Sequence, residues 1–144
     1  MTPDEIREKI IQTVSKNGGH LASSLGAVEI AIALSEVFDP EVDRIVWDVG
    51  HQAYAWKILT GRSESFSTLR RFGGMSGFPN PAESPCDAAV AGHAGVALSV
   101  AEGMAAAYEK CVRESAQNNE KIRKLAELFL DKISVLNGVS VNGG

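Results

Sequence analysis

The sequence predicts an α/β fold in which helix predominates over a small parallel sheet, and three features carry that expectation. Thr2-Pro3-Asp4-Glu5 starts a helix; Arg44-Ile45-Val46-Trp47-Asp48-Val49 is a short β-branched run closing on Gly50; and an alanine-rich stretch follows Gly92-His93-Ala94-Gly95. The middle run reads as a buried strand feeding a loop, and the other two as helices around it. With 144 residues, 44% of them hydrophobic, the chain can build one core, so a single compact domain over residues 1–144 is expected.

The first helix has a mechanism at its start. Thr2 can cap, Pro3 suits the first helical position, and Glu5 completes a capping box. Ile6, Ile10 and Val14 then share a face, and Gly18-Gly19 ends the helix. A second helix is predicted from Leu25 to Phe38, where Val28, Ile30, Ile32, Leu34 and Val37 leave so little polar face that it should be buried. Asp39-Pro40 stops it. After the Arg44–Val49 strand, a helix from Gln52 to Leu59 is expected.

From Gly73 to Pro85, Gly73, Gly74, Gly77, Pro79, Pro81 and Pro85 leave no room for a regular element and predict a long loop. Cys86 to Ala91 reads as a second short strand, and the alanine-rich helix after it should reach about Arg113. Residues Glu114 to Lys124 are strongly polar. Ile122, Leu125, Ala126, Phe129 and Ile133 then repeat with helical spacing until Asn137-Gly138 breaks the pattern, and Val139-Ser140-Val141 reads as a terminal strand. Two or three short strands leave open sheet edges, which predicts self-association.

Composition narrows the function. Fourteen Lys and Arg against eighteen Asp and Glu give a net charge of -4, with no basic block to follow a phosphate backbone, so no nucleic-acid partner is expected. No stretch approaches the roughly 20 apolar residues of a membrane span, and the polar Met1 to Lys9 is helix-like, which together suggest a cytoplasmic protein. Cys86 and Cys111 lack metal-site spacing and read as reduced thiols.

All three histidines follow a glycine, as Gly19-His20, Gly50-His51 and Gly92-His93, and each sits at an element boundary. Glycine lets the backbone come close to a neighbour while the next side chain points into a site. In α/β sheets, such loops at strand ends are where ligands bind. The same residues can also be plain caps or loop residues. A zinc site of three histidines is a further option, although spacings of 31 and 42 residues match no local metal motif. Gly92-His93-Ala94-Gly95 can hold a phosphate on free N–H groups or simply start a helix. Trp47, Tyr54 and Trp56 read as core, and no nucleophile elbow supports a hydrolase triad.

Four segments, taken in order, carry a resemblance. They are Gly18-Gly19-His20-Leu21-Ala22-Ser23-Ser24-Leu25-Gly26, Val46-Trp47-Asp48-Val49-Gly50-His51-Gln52-Ala53-Tyr54, Lys57-Ile58-Leu59-Thr60-Gly61-Arg62 and Gly73-Gly74-Met75-Ser76-Gly77-Phe78-Pro79. Together they resemble the N-terminal motifs of 1-deoxy-D-xylulose-5-phosphate synthases over residues 1–112. The resemblance implies a helix-rich fragment of an α/β thiamine-diphosphate-binding domain. It implies a transferase of isoprenoid biosynthesis that joins pyruvate to glyceraldehyde 3-phosphate with loss of carbon dioxide, using thiamine diphosphate and Mg²⁺. On that basis His20 and His51 would be catalytic, near the thiazolium and substrate; Ser23 would face the sugar phosphate; and Gly92, His93 and Ala94 would lie beside the cofactor.

Histidine suits such a ligation, because it donates to a developing alkoxide and moves protons near pH 7. The chain also departs from the family. Ala94-Gly95 stands where the family carries hydroxyls, and nothing between Met104 and Gly144 supplies the Gly-Asp-Gly and downstream Asn that hold Mg²⁺ against the diphosphate. The Glu that activates the thiamine ring is missing too, so no turnover by this chain alone is expected. The tail, Gln117 to Gly144, is similar to the helix-then-strand start of a cysteine desulfurase small domain. That likeness would make the chain a chimera over residues 113–144. The sequence therefore leaves three readings: a partial synthase site, a truncated or chimeric scaffold with idle histidine loops, and a histidine metal-binding module.

Overall fold

The computed structural model describes residues 1–139, with side chains to residue 127. Its regular elements are helices: α1 (Pro3–Asn17), α2 (Leu21–Leu25), α3 (Val28–Val37), α4 (Tyr54–Lys57) and α5 (Ala97–Val139). A π-helical turn (Ile58–Arg62) and a 3-10 turn (Glu64–Thr68) follow α4. The chain divides into two compact units, Met1–Ala101 and a second beginning at Glu102.

The start of α1 has the capping box its sequence calls for. Thr2 Oγ1 accepts the Glu5 N–H at 3.2 Å, and the Thr2 N–H donates to Glu5 Oε2 at 2.7 Å. Ile6 and Ile10 are fully buried and Val14 nearly so. Gly18, at φ +73°, leaves the helix while its N–H donates to the Val14 carbonyl at 2.8 Å.

The single helix expected from Leu25 to Phe38 is two. A turn at Gly26-Ala27 separates α2, which begins earlier at Leu21, from α3. The expectation that this helix is buried all round is also corrected: Val28 and Ala31 are buried, while Ile30, Val37 and Phe38 are 57%, 75% and 42% exposed. The first unit supplies α1 and α4 as neighbours to α3, which covers one face and leaves the opposite apolar face open.

The parallel sheet is the larger correction. No strand occurs among the described residues, and both Arg44–Val49 and Cys86–Ala91 are irregular. A strand exists only by pairing its N–H and C=O groups with another, and here these segments find other partners. The Asp48 carbonyl accepts from the Gln52 side-chain amide at 2.9 Å, the Cys86 carbonyl from Trp56 Nε1–H at 3.0 Å, and the Cys86 N–H donates to Ser84 Oγ at 3.2 Å. Val49 and Gly50, at φ +57° and +76°, then turn the chain out of any extended course. The β-branched run was a packing signal instead: Trp47 is buried edge-to-face against Trp56 at 6.0 Å between ring centroids. The sheet edges expected to drive self-association are therefore absent from the described residues.

The helix expected over Gln52–Leu59 starts two residues later and runs on into the π turn, where Thr60 and Gly61 leave helical geometry, Gly61 at φ +86°. The predicted loop from Gly73 is irregular throughout, and buried charges tie it to the α4 region. Lys57 Nζ meets Glu83 Oε2 at 2.7 Å, and the two terminal nitrogens of Arg62 meet the Asp87 carboxylate at 2.6 and 2.8 Å. Those carboxylates also accept the loop's own N–H groups, Ser76 on Glu83 at 2.6 Å and Asn80 on Asp87 at 2.8 Å. Burial lowers the Lys57 pKa, with Glu83 acting against it.

Beyond Arg113, α5 continues through the polar stretch and through Asn137-Gly138. Good helix formers and i,i+4 ion pairs, Glu109 with Arg113 and Glu120 with Lys124, support the polar part. Of the strand expected at the C-terminus, Val139 is the last residue of α5, and Ser140 and Val141 lie outside the described residues. No described helix is long and apolar enough to cross a membrane.

Candidate functional site: a stacked histidine pair

Two of the three Gly-His dipeptides converge. His20 precedes α2 and His51 follows the turn at Val49-Gly50. Their imidazoles stack with centroids 3.8 Å apart and planes 20° from parallel. Phe78, from the long loop, leans on both rings at 5.3 and 5.7 Å.

The preceding glycines allow this for two different steric reasons. At Gly19, φ is +145° and a Cβ would stand 2.7 Å from the Tyr54 hydroxyl. At Gly50, φ is +76° and a Cβ would stand 2.6 Å from Pro79 Cδ. Both positions combine a backbone that L side chains rarely adopt with a neighbour that leaves no room. The backbone of His51 is fixed from α2, its carbonyl accepting from Ser24 Oγ at 2.8 Å and from Ser23 Oγ at 3.2 Å. Ser23, expected to face a sugar phosphate, is thus an exposed residue beside the pair with its hydroxyl on the His51 carbonyl.

His20 is held below the usual histidine pKa, first by burial, then by His51 and Arg70. At neutral pH it is an uncharged imidazole, able to give a proton from one nitrogen and take one on the other.

The third dipeptide does not join the pair. Gly92, His93 and Ala94 are exposed in the loop before α5, and a Cβ at Gly92 would meet nothing within 4 Å. No ring contact or hydrogen bond connects His93 to His20 or His51 among the described residues. At this helix start an internal carboxylate takes up the N–H groups that follow Ala94. Asp48 Oδ1 accepts from Gly95 at 2.9 Å, Val96 at 3.1 Å and Ala97 at 3.2 Å, and Oδ2 from Gly95 at 2.9 Å. These donors, Gly95 foremost, hold the Asp48 pKa below its ordinary value. No local pattern announces a cap whose partner lies 47 residues away. As for a metal, no three His, Cys, Asp or Glu side chains converge among the described residues.

Sequence comparison decides the family. Residues 2–122 match the family model for 1-deoxy-D-xylulose-5-phosphate synthase. The chain belongs to that family. It is 62% identical over 106 residues to the synthase of Oleidesulfovibrio alaskensis, covering 74% of this chain and 17% of that protein. With the synthase of Syntrophotalea carbinolica the identity is 63% over 105 residues, 73% of this chain and 17% of that protein. The synthase of Natranaerobius thermophilus matches over 119 residues at 53% identity, 83% of this chain and 18% of that one. The chain thus spans less than a fifth of the length of these curated synthases. The family match passes residue 112, where the sequence motifs placed the end of the resemblance, and runs on to residue 122.

Proposed function

We propose that the stacked pair of His20 and His51 is the proton-carrying part of a 1-deoxy-D-xylulose-5-phosphate synthase site, and that this chain alone does not turn over. The observation that carries the reading is the pair itself: two histidines 31 residues apart are brought ring to ring, each on a glycine with no room for a side chain. In the family reaction, pyruvate is joined to glyceraldehyde 3-phosphate with loss of carbon dioxide, and the thiamine cofactor supplies the carbanion chemistry. The part left to these side chains is to donate to a carbonyl oxygen that becomes an alkoxide and to return protons, which neutral imidazoles do near pH 7. Phe78 packs against both rings and adds an apolar wall on one side of the pair.

The residues fit this end of a thiamine diphosphate site and not its Mg²⁺-diphosphate end. The helix-start N–H groups beside His93 are occupied by Asp48, and no described trio of ligands converges for the metal. That same cap favours a second reading, a truncated or chimeric scaffold whose histidine loops are idle.

A graft separates the two. The 106 matched residues are placed into the Oleidesulfovibrio alaskensis synthase in place of its own segment, and product formation is assayed. The expected result is an active graft whose kcat/KM falls by roughly 10²–10⁴ on His20→Ala or His51→Ala, and no product from the chain alone. A graft that works equally well without either histidine contradicts the proposal.

A further inference from the structure

Tyr54 sits on α4, fully buried, with its ring edge-on to Phe66 at 5.9 Å. Phenylalanine would fill that space as well, and a buried hydroxyl costs free energy unless it is hydrogen-bonded. Its partners all belong to one place. The hydroxyl accepts the His20 backbone N–H at 3.2 Å and stands 3.5 Å from His20 Nδ1. Gly19 leaves it space, since a Cβ there would come within 2.7 Å of it.

A phenol that accepts from a backbone N–H still has its own proton to give. Among the described residues, His20 Nδ1 is the acceptor within reach. An uncharged imidazole that accepts at Nδ1 carries its own proton at Nε2. We propose that Tyr54 is a positioning residue that fixes the neutral His20 ring as its Nε2–H tautomer, so that Nε2 is the nitrogen offered as donor to a ligand's carbonyl oxygen. The low pKa of His20 agrees with this role, since only the uncharged ring has a tautomer to choose. The tautomer belongs to the folded chain, whereas its use on a carbonyl rests on the function proposed above.

The test is a long-range ¹H–¹⁵N correlation spectrum of the whole chain labelled at histidine, recorded above the titration of His20. In the parent, His20 Nδ1 should show the shift of an unprotonated ring nitrogen and Nε2 that of a protonated one. In Tyr54→Phe, with the circular dichroism spectrum unchanged, both shifts should move toward the averaged values of an unrestrained imidazole. A parent His20 protonated at Nδ1 overturns the proposal, as do nitrogen shifts that Tyr54→Phe leaves unchanged. If that variant does not fold, the parent spectrum decides alone. The graft assay reads the functional claim separately: idle histidines there, with the Nε2–H tautomer intact, overturn the function and leave the Tyr54 assignment standing.

Discussion

Burial, His51 and Arg70 all act in the same direction on His20, making its charged form costly in the folded chain. Its folded pKa therefore lies below the unfolded value of about 6.5. The linked stability is fully present above the unfolded value and is lost as pH falls through the folded one. Followed by NMR, the His20 midpoint should fall below that of a free histidine. In His51→Ala it should rise part of the way back, because burial and Arg70 remain; a midpoint indifferent to His51 would contradict the coupling. At this scale the sequence was legible where a glycine had a steric reason. Gly19 and Gly50 do, and their histidines meet; Gly92 has open space around it, and His93 stays apart. Tyr54 was readable as core from its neighbours Trp47 and Trp56. Its hydroxyl was not, since the partner lies 34 residues away.

Among the elements, the glycine- and proline-rich loop shows how far local reading goes. Its breakers correctly exclude helix and strand, but they do not reveal that the loop is pinned. Arg62 and Asp87 form a two-pronged buried pair, with side chains 10% and 0% exposed, and Asp87 also receives the Asn80 N–H. Removing the Asp87 charge leaves the buried Arg62 guanidinium only Glu83, 3.7 Å away and shared with Lys57, so Asp87→Asn should cost about 3 kcal/mol, measured by urea unfolding. A loss under about 1 kcal/mol, in the range of an exposed pair, would mean the loop is held some other way. A long-range partner also starts α5, at a cap supplied by Asp48, whereas the split of α2 from α3 follows the local turn at Gly26-Ala27. The sequence of α5 around the cap shows only a glycine-rich start.

For the molecule as a whole, what was legible was whatever needs no distant partner. The capping box of α1, its buried face and the helical character of α5 are set within a few residues of themselves. A sheet is the opposite case, because each strand exists only through another, and the two candidate runs are irregular among the described residues. The family was legible because its motifs are short and ordered, and the match over residues 2–122 bears that out. The site is intermediate: the motifs named His20 and His51, and only the fold shows them ring to ring. That pairing without the remainder of a synthase is the central claim, and a NOESY spectrum of the isolated chain tests it most directly. The expected result is cross-peaks between the imidazole protons of His20 and His51, and from both to the Phe78 ring. A well-dispersed spectrum lacking them would show that this chain does not assemble the pair alone.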